Sequence, residues 1–276
     1  MTRIALLQMC SGIDPGANAR TIVEALAQAK AGGAQMLFTP EMSNIIDRDR
    51  RRASASIVAE QDDRLLAACR DAAAKHGLWL ALGSIAVSRE NGRYANRALV
   101  IDANGEIAAR YDKLHMFDVD LATGESWRES NAYAPGEALG IADGTPLGRL
   151  GLAICYDIRF PALFEALGRH KCDAIAVPAA FTVPTGRDHW HLLQRARAVE
   201  ASAFVVSAAQ VGRHEDGRET YGHSLVVDPW GEVLLDMGGE APGIGFAEID
   251  PARIAEVRAQ LPSLANRREI PTWAGI

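Results

Sequence analysis

The stretch Gly148–Arg149–Leu150–Gly151–Leu152–Ala153–Ile154–Cys155–Tyr156–Asp157–Ile158–Arg159–Phe160–Pro161 decides how this chain is read. An apolar run gives way at once to charges and a proline. That change predicts a buried strand that breaks into a turn and then a helix. The Cys155 thiol is then expected at the tip of a rigid element, where the chain opens toward solvent. Two more abrupt strand-to-loop changes lie upstream, at Thr39–Pro40–Glu41 and Tyr111–Asp112–Lys113. They offer a carboxylate and an amine to the same site, provided the fold brings the three ends together.

The order of elements gives a reason for them to meet, because the two halves of the chain echo each other. Arg3–Ile4–Ala5–Leu6–Leu7 and Arg149–Leu150–Gly151–Leu152–Ala153 both read as opening strands. Each is followed by a helical stretch containing Glu-Ala-Leu, at Glu24–Ala25–Leu26 and Glu165–Ala166–Leu167. Next come apolar strands ended by Pro40 and Pro178, then second helices expected over about 57–76 and 189–202. Each half closes on a hairpin, with turns at Asn104–Gly105, whose two residues tolerate positive φ, and at Trp230–Gly231. A strand–helix–strand–helix–strand–strand unit occurring twice predicts an α/β fold. Its form is an α-β-β-α sandwich of two mixed sheets with an internal pseudo-twofold repeat. No linker divides the chain, so one domain is expected over 1–276, with the sandwich over about 2–250 and a C-terminal tail over about 251–276. In open α/β sheets the loops after the carboxyl ends of strands line the ligand crevice. Glu41, Lys113 and Cys155 all follow such ends.

Bulk properties narrow the function classes. The 276 residues carry 29 basic and 35 acidic side chains, a net charge of −6. An acidic balance disfavours a general nucleic-acid binder, which relies on phosphate neutralisation. Acids flank the basic cluster Arg48–Asp49–Arg50–Arg51–Arg52, which reads as a solvated loop or helix face. No apolar run approaches the roughly 20 residues that span a bilayer. The opening run Ile4–Leu7 is too short for a signal-peptide core. Cys10, Cys69, Cys155 and Cys172 show no paired CxxC spacing. The expectation is a reduced, cytoplasmic protein with neither metal nor cofactor; the close pair His189 and His191 has no matching Cys or His pair.

A free thiol titrates near ~8.5 and is a poor nucleophile at neutral pH until a base or a positive field favours the thiolate. Glu41 can take the thiol proton, protonate a leaving amine and activate water. Lys113 can supply positive charge to the thiolate and to a tetrahedral oxyanion, with the backbone N–H of Tyr156 as second oxyanion donor. Singly, each residue has a plainer reading: a small buried hydrophobe, a turn carboxylate, and an ion-pair partner of Asp112.

Together, three segments give the chain a resemblance to the nitrilase, or carbon–nitrogen hydrolase, superfamily. They are Phe38–Glu41, Tyr111–His115 and Gly151–Pro161, and the resemblance runs from about residue 2 to about 262. It implies a Glu41–Lys113–Cys155 triad on a duplicated α-β-β-α sandwich. It also implies a second glutamate after the lysine, matched by Glu129 in Trp127–Arg128–Glu129–Ser130, with Glu125 and Glu137 as rivals. Segments Leu114–Asp120, Thr185–Trp190 and Gln194–Glu200 resemble the small amidases acting on ω-amides of 2-oxo acids and on deaminated glutathione. Ala208–His214 with Tyr221–Ser224 looks closer to the latter. The implied reaction is cleavage of a non-peptide amide through a cysteine thioester, giving 2-oxoglutarate and Cys-Gly from deaminated glutathione. The alternatives are 2-oxoglutaramate or another small amide or N-carbamoyl substrate, acyl transfer to an amine, and a non-catalytic binding protein.

A 2-oxo acid needs a cationic contact. Arg159, four residues after Cys155 on a helix start, would return to the same face and offer its bidentate fork; an ion pair with Asp157 competes. Phe181, Thr182 and Thr185 follow Pro178 and are expected to line the pocket. His189, Trp190 and His191 are expected to pack the next helix or gate the entrance, and residues 117–136 to act as a lid. The resemblance further implies a homodimer or higher homo-oligomer, with an extended tail from Pro262.

Overall fold

The computed structural model describes residues 1–122, 124, 126–271 and 273. In the first half, β1 (Thr2–Gln8) leads through α1 (Pro15–Ala31) to β2 (Met36–Phe38). The short α2 (Arg50–Ser54) and α3 (Arg64–His76) then precede β3 (Trp79–Ser88), β4 (Tyr94–Ile101) and β5 (Ile107–Asp112). A small hairpin follows, β6 (Asp118–Asp120) with β7 (Ser126–Arg128). The second half runs β8 (Gly140–Thr145), β9 (Gly148–Leu152), α4 (Pro161–Arg169), β10 (Ala174–Ala176), α5 (Val183–Ala201) and β11 (Phe204–Ser207). A further hairpin pairs β12 (Val211–Arg213) with β13 (Glu219–Tyr221). The chain then completes β14 (Leu225–Val227), β15 (Val233–Asp236), β16 (Gly243–Ile249) and α6 (Pro251–Gln260).

Two six-stranded mixed sheets result, in the orders β16-β1-β2-β3-β4-β5 and β15-β14-β11-β10-β9-β8. Each has three parallel strands joined by helices, β1-β2-β3 and β9-β10-β11, extended by two antiparallel strands. The repeat is therefore realised strand for strand. The sixth strand of each sheet is added antiparallel beside the first parallel strand: β8 beside β9, and β16 beside β1 from Thr2↔Ile249 to Gln8↔Gly243. The last strand of the chain thus completes the sheet that the first strand opens.

The alternation of β1 sorts its side chains into two layers. Ile4 and Leu6 pack into the core shared with Leu150, Leu152 and Ala176 of the other sheet. Ala5 and Leu7 face Ile22 and Leu26 of α1 and Leu66 and Cys69 of α3. Behind the second sheet, Leu163, Phe164, Trp190 and Ala198 of α4 and α5 pack in the same core as Ile175 and Val205. Helices therefore cover both outer faces of two facing sheets.

Local chemistry sets the helix limits. Asp63 caps α3 by accepting from the Leu66 N–H at 2.8 Å, and a 3-10 turn at Glu60–Asp62 precedes it, so this helix is shorter than the expected 57–76. α5 begins at Val183 rather than near 189 because Pro184 sits in its first turn, where the missing N–H costs nothing. The segment expected as a tail from about 251 opens with α6, whose Ile254 and Val257 are buried. Among the described residues no helix is long and apolar enough to cross a membrane.

Candidate active site

Four strand ends converge at one end of the sandwich. Glu41 follows β2, Lys113 follows β5, Cys155 follows β9 and Ala180 follows β10. The approach is close. A Cβ on Gly83 would lie 1.9 Å from the Thr39 carbonyl oxygen and 2.6 Å from Pro178 Cβ, so only glycine lets the two proline-ended strands reach this position. The Gly83 N–H donates to Thr39 Oγ1 at 3.0 Å, and Ser43 Oγ donates to the Pro40 carbonyl at 2.7 Å. These bonds fix the loop that carries Glu41.

Cys155 has φ = +47°, a left-handed conformation that a non-glycine residue adopts at a cost. Its N–H donates to the Pro178 carbonyl at 2.9 Å. Buried Asp157 holds the turn: its Oδ2 accepts from the Ile154 N–H at 2.9 Å and the Tyr111 hydroxyl at 2.7 Å, and its Oδ1 accepts from the His115 N–H at 3.0 Å. One carboxylate therefore ties the loop bearing Cys155 to the loop bearing Lys113.

The polar centre is dense. Lys113 Nζ lies 2.9 Å from Glu41 Oε1 and 2.9 Å from Glu129 Oε2. Asn96 Nδ2 donates to Glu41 Oε1 at 2.9 Å and to Glu129 Oε1 at 3.2 Å. The Ala180 N–H donates to Glu41 Oε2 at 2.9 Å, and the Phe117 N–H to Glu129 Oε2 at 2.7 Å. Glu41, Lys113 and Cys155 are all buried. Burial alone would discharge Lys113, but the Glu129 and Glu41 carboxylates outweigh it and hold the amine well above its ordinary value. Burial, then the Glu41 charge, pushes the Cys155 thiol well above the ordinary range despite the opposing pull of Lys113. The resting sulfur is a neutral thiol. The positive charge of Lys113 is shared between two carboxylates, at 2.9 Å from Glu41 Oε1 and 2.9 Å from Glu129 Oε2.

These groups open on a cavity of about 940 Å³. Tyr156, Phe181, Thr182 and Thr185 line it with Glu41, Lys113, Glu129 and Cys155. The Tyr156 N–H makes no backbone hydrogen bond among the described residues. Arg159 does not line the cavity. Residues 155–159 form a 3-10 turn with three residues per turn, so position i+4 does not return to the face of Cys155 as it would on an α-helix. Its guanidinium lies 3.3 Å from His189 Nδ1 and over the Phe181 ring, 5.4 Å from the centroid. The competing pair with Asp157 is not made either, since Asp157 is taken up by Tyr111 and His115. Glu137 is exposed, and Glu125 lies outside the described residues. The segment expected as a lid contains the β6–β7 hairpin and a 3-10 turn at Glu129–Asn131, and its Phe117, Trp127 and Glu129 line the cavity.

Several residues escaped the sequence reading. Asn96 bridges the two glutamates, and its one signal is a polar side chain inside the apolar strand Ala95–Ile101. Arg48 and Arg50, read as a solvated face, line the cavity together with Arg218. Away from it, His191 Nε2 and His223 Nδ1 each lie 2.9 Å from Asp236, a set of ligating type among the described residues that does not line the cavity.

Residues 3–259 match the family model described as carbon-nitrogen hydrolase. A deaminated glutathione amidase of Yersinia enterocolitica is 41% identical over 270 residues, covering 96% of this chain and 92% of that protein. The NitFhit protein of C. elegans superposes with a TM-score of 0.88 at 35% identity, covering 97% of this chain; the chain spans 65% of that longer protein. A mutant of the amidase from Nesterenkonia sp. AN1, with TM-score 0.81 and 28% identity, covers 97% of this chain and 94% of its own. It shows covalent addition of the acetamide moiety of fluoroacetamide at the active-site cysteine. With the family model spanning nearly the whole chain and relatives well above 30% identity along it, this protein belongs to the carbon-nitrogen hydrolase family.

Proposed function

We propose that the protein is an amidase that cleaves a linear amide through a thioester on Cys155, with deaminated glutathione as substrate and 2-oxoglutarate and Cys-Gly as products. The observation that carries the reading is the buried Glu41 carboxylate. It is held by Lys113, Asn96 and the Ala180 N–H while it acts on a neutral Cys155 thiol. Glu41 takes the thiol proton as the sulfur attacks the amide carbonyl. Lys113 and the Tyr156 N–H stabilise the oxyanion, and Glu41 returns the proton to the departing amine. Water then loses a proton to Glu41 and attacks the thioester; the acid leaves and the thiol is restored. Glu129 keeps Lys113 charged and in place. Phe181, Thr182 and Thr185 line the substrate's side of the cavity.

Cavity size favours the larger substrate over 2-oxoglutaramate. About 940 Å³ lies at the upper end of small-molecule sites, which span roughly 300–1,000 Å³. Both halves act as one domain, as the shared core and the closing strand β16 suggest. A homodimer is supported by exposed Leu192, Val199, Trp230, Val233 and Leu234 on α5 and around β15. A cytoplasmic setting is supported by four free cysteines.

The test is a panel of deaminated glutathione, 2-oxoglutaramate, N-carbamoyl amino acids and simple nitriles, with mass detection of acyl-Cys155. Deaminated glutathione is expected to be turned over fastest, and Cys155→Ala and Cys155→Ser to lose both turnover and adduct. Undiminished product release by both variants would overturn the mechanism, and a clear preference for 2-oxoglutaramate would overturn the substrate. Acyl transfer to added amines in place of hydrolysis would reassign the second step.

A further inference from the structure

Among the basic groups around the cavity, one cluster is not explained by the thioester chemistry. Trp127, on β7, lies beside Phe117 with ring centroids 6.3 Å apart, and Phe117 lies 5.1 Å from Tyr156. The indole is therefore two ring contacts removed from the residue after Cys155. Two guanidinium groups approach it: Arg48 Cζ at 5.0 Å and Arg218 Cζ at 5.1 Å from its centroid. Both arginines line the cavity and lie no more than about 10 Å apart.

The nearby acids leave this charge largely unmatched. Asp47 is engaged by Arg52 at 2.7 Å, and Asp216 takes only Nε of Arg218, at 2.9 Å. Arg48 forms no ion pair among the described residues. The Trp127 Nε1–H is buried and has no hydrogen-bond partner among them. Glu219 is the further acid lining this end, and it is exposed. Arg48 and Arg218 line the same cavity with guanidinium N–H groups outside any ion pair among the described residues, a chemistry that suits a planar oxyanion.

We propose that the Arg48–Trp127–Arg218 cluster is a carboxylate subsite that binds the leaving-amine end of the substrate and selects amides whose leaving group carries a terminal carboxylate. The proposal rests on the amidase reading above and specifies its recognition. A two-residue amine extends roughly 7 Å from the scissile carbon to its terminal carboxylate. An ω-amide that releases ammonia has nothing to place there.

The test compares two substrates that differ only at this carboxylate: deaminated glutathione and its C-terminal glycinamide. The wild-type protein is expected to favour the acid by about tenfold or more in kcat/KM, mainly through KM. In Arg48→Gln and in Arg218→Gln the acid-over-amide ratio should fall by about tenfold, and Arg48→Lys should retain part of it. The ratio is taken within each variant, so a general loss of folded protein cancels. An unchanged ratio in both Gln variants, or a wild-type protein indifferent to the carboxylate, overturns the subsite and leaves the amidase reading standing. Turnover of neither form, with 2-oxoglutaramate still hydrolysed, overturns the tripeptide reading and the subsite together.

Discussion

Glu41 and Glu129 both touch Lys113 and Asn96, yet their surroundings differ. Glu41 also receives the Ala180 N–H and raises the Cys155 thiol by its charge, whereas Glu129 receives the Phe117 N–H and lies on the hairpin side. Two carboxylates and one ammonium in a buried space leave one negative charge unmatched. In the proposed mechanism, proton transfer from the thiol to Glu41 moves that charge onto the sulfur at the moment of attack. A glutamine at position 41 keeps the shape but cannot take the proton. Glu41→Gln is therefore expected to lower kcat by about 10³-fold or more with KM little changed. Glu129→Gln leaves Lys113 one carboxylate partner, and a loss of roughly 10–100-fold is expected. Steady-state kinetics on a common amide checks the order, and a larger loss for Glu129→Gln would reverse the two roles.

At the scale of elements, the site depends on how closely β3 lets the ends of β2 and β10 approach. Gly83 lies at the irregularity in β3–β4 pairing between Leu82 and Ile85, and the two nearest atoms a Cβ would strike are backbone carbonyl oxygens that cannot swing away. Gly83→Ala is expected to cost about 3 kcal/mol in urea unfolding and to lower kcat by displacing the Glu41 loop. Gly243→Ala, with open space around it on β16, is the control expected to change neither. An unaffected Gly83→Ala would mean that the loop after β2 yields freely. The same elements show what a linear reading can and cannot reach. Strand ends at Glu41, Lys113 and Cys155 were legible because apolar runs stop abruptly at them. The first hairpin was legible at Asn104–Gly105 because glycine readily takes the positive φ found there, and the second by its match in the repeat, with Gly231 at positive φ as well. The position of Arg159 was not legible, because a 3-10 turn and an α-helical turn share one sequence pattern yet aim position i+4 differently. Asn96, Asp157 and Arg218 gain their meaning from partners 15 or more residues away, which periodicity does not register.

Across the molecule, two repeats placed face to face bury titratable groups that serve packing rather than chemistry. Burial raises the Cys69 thiol and pushes Cys172 up to about 11, and burial with the nearby Asp157 charge raises Tyr111. Cys155 is raised as well, and Lys113 is held protonated by its carboxylates. The direction is common to all five groups: the native state keeps protons that the unfolded chain gives up. Between the unfolded thiol value of roughly 8.5 and the raised folded values, the unfolded state binds fewer protons, so stability must fall as pH rises. The slope is about 1.4 kcal/mol per pH unit for each thiol held protonated through that window, and Tyr111 and Lys113 add to it above roughly pH 10. Urea midpoints are expected to hold steady from pH 7 to 8 and to drop steeply between pH 9 and 11. Cys172→Ala should reduce the drop, since it removes one of the thiols that must ionise on unfolding. A midpoint independent of pH up to 11 would show that these groups ionise in the folded protein as easily as in the unfolded chain, and that the core between the sheets and helices admits charge.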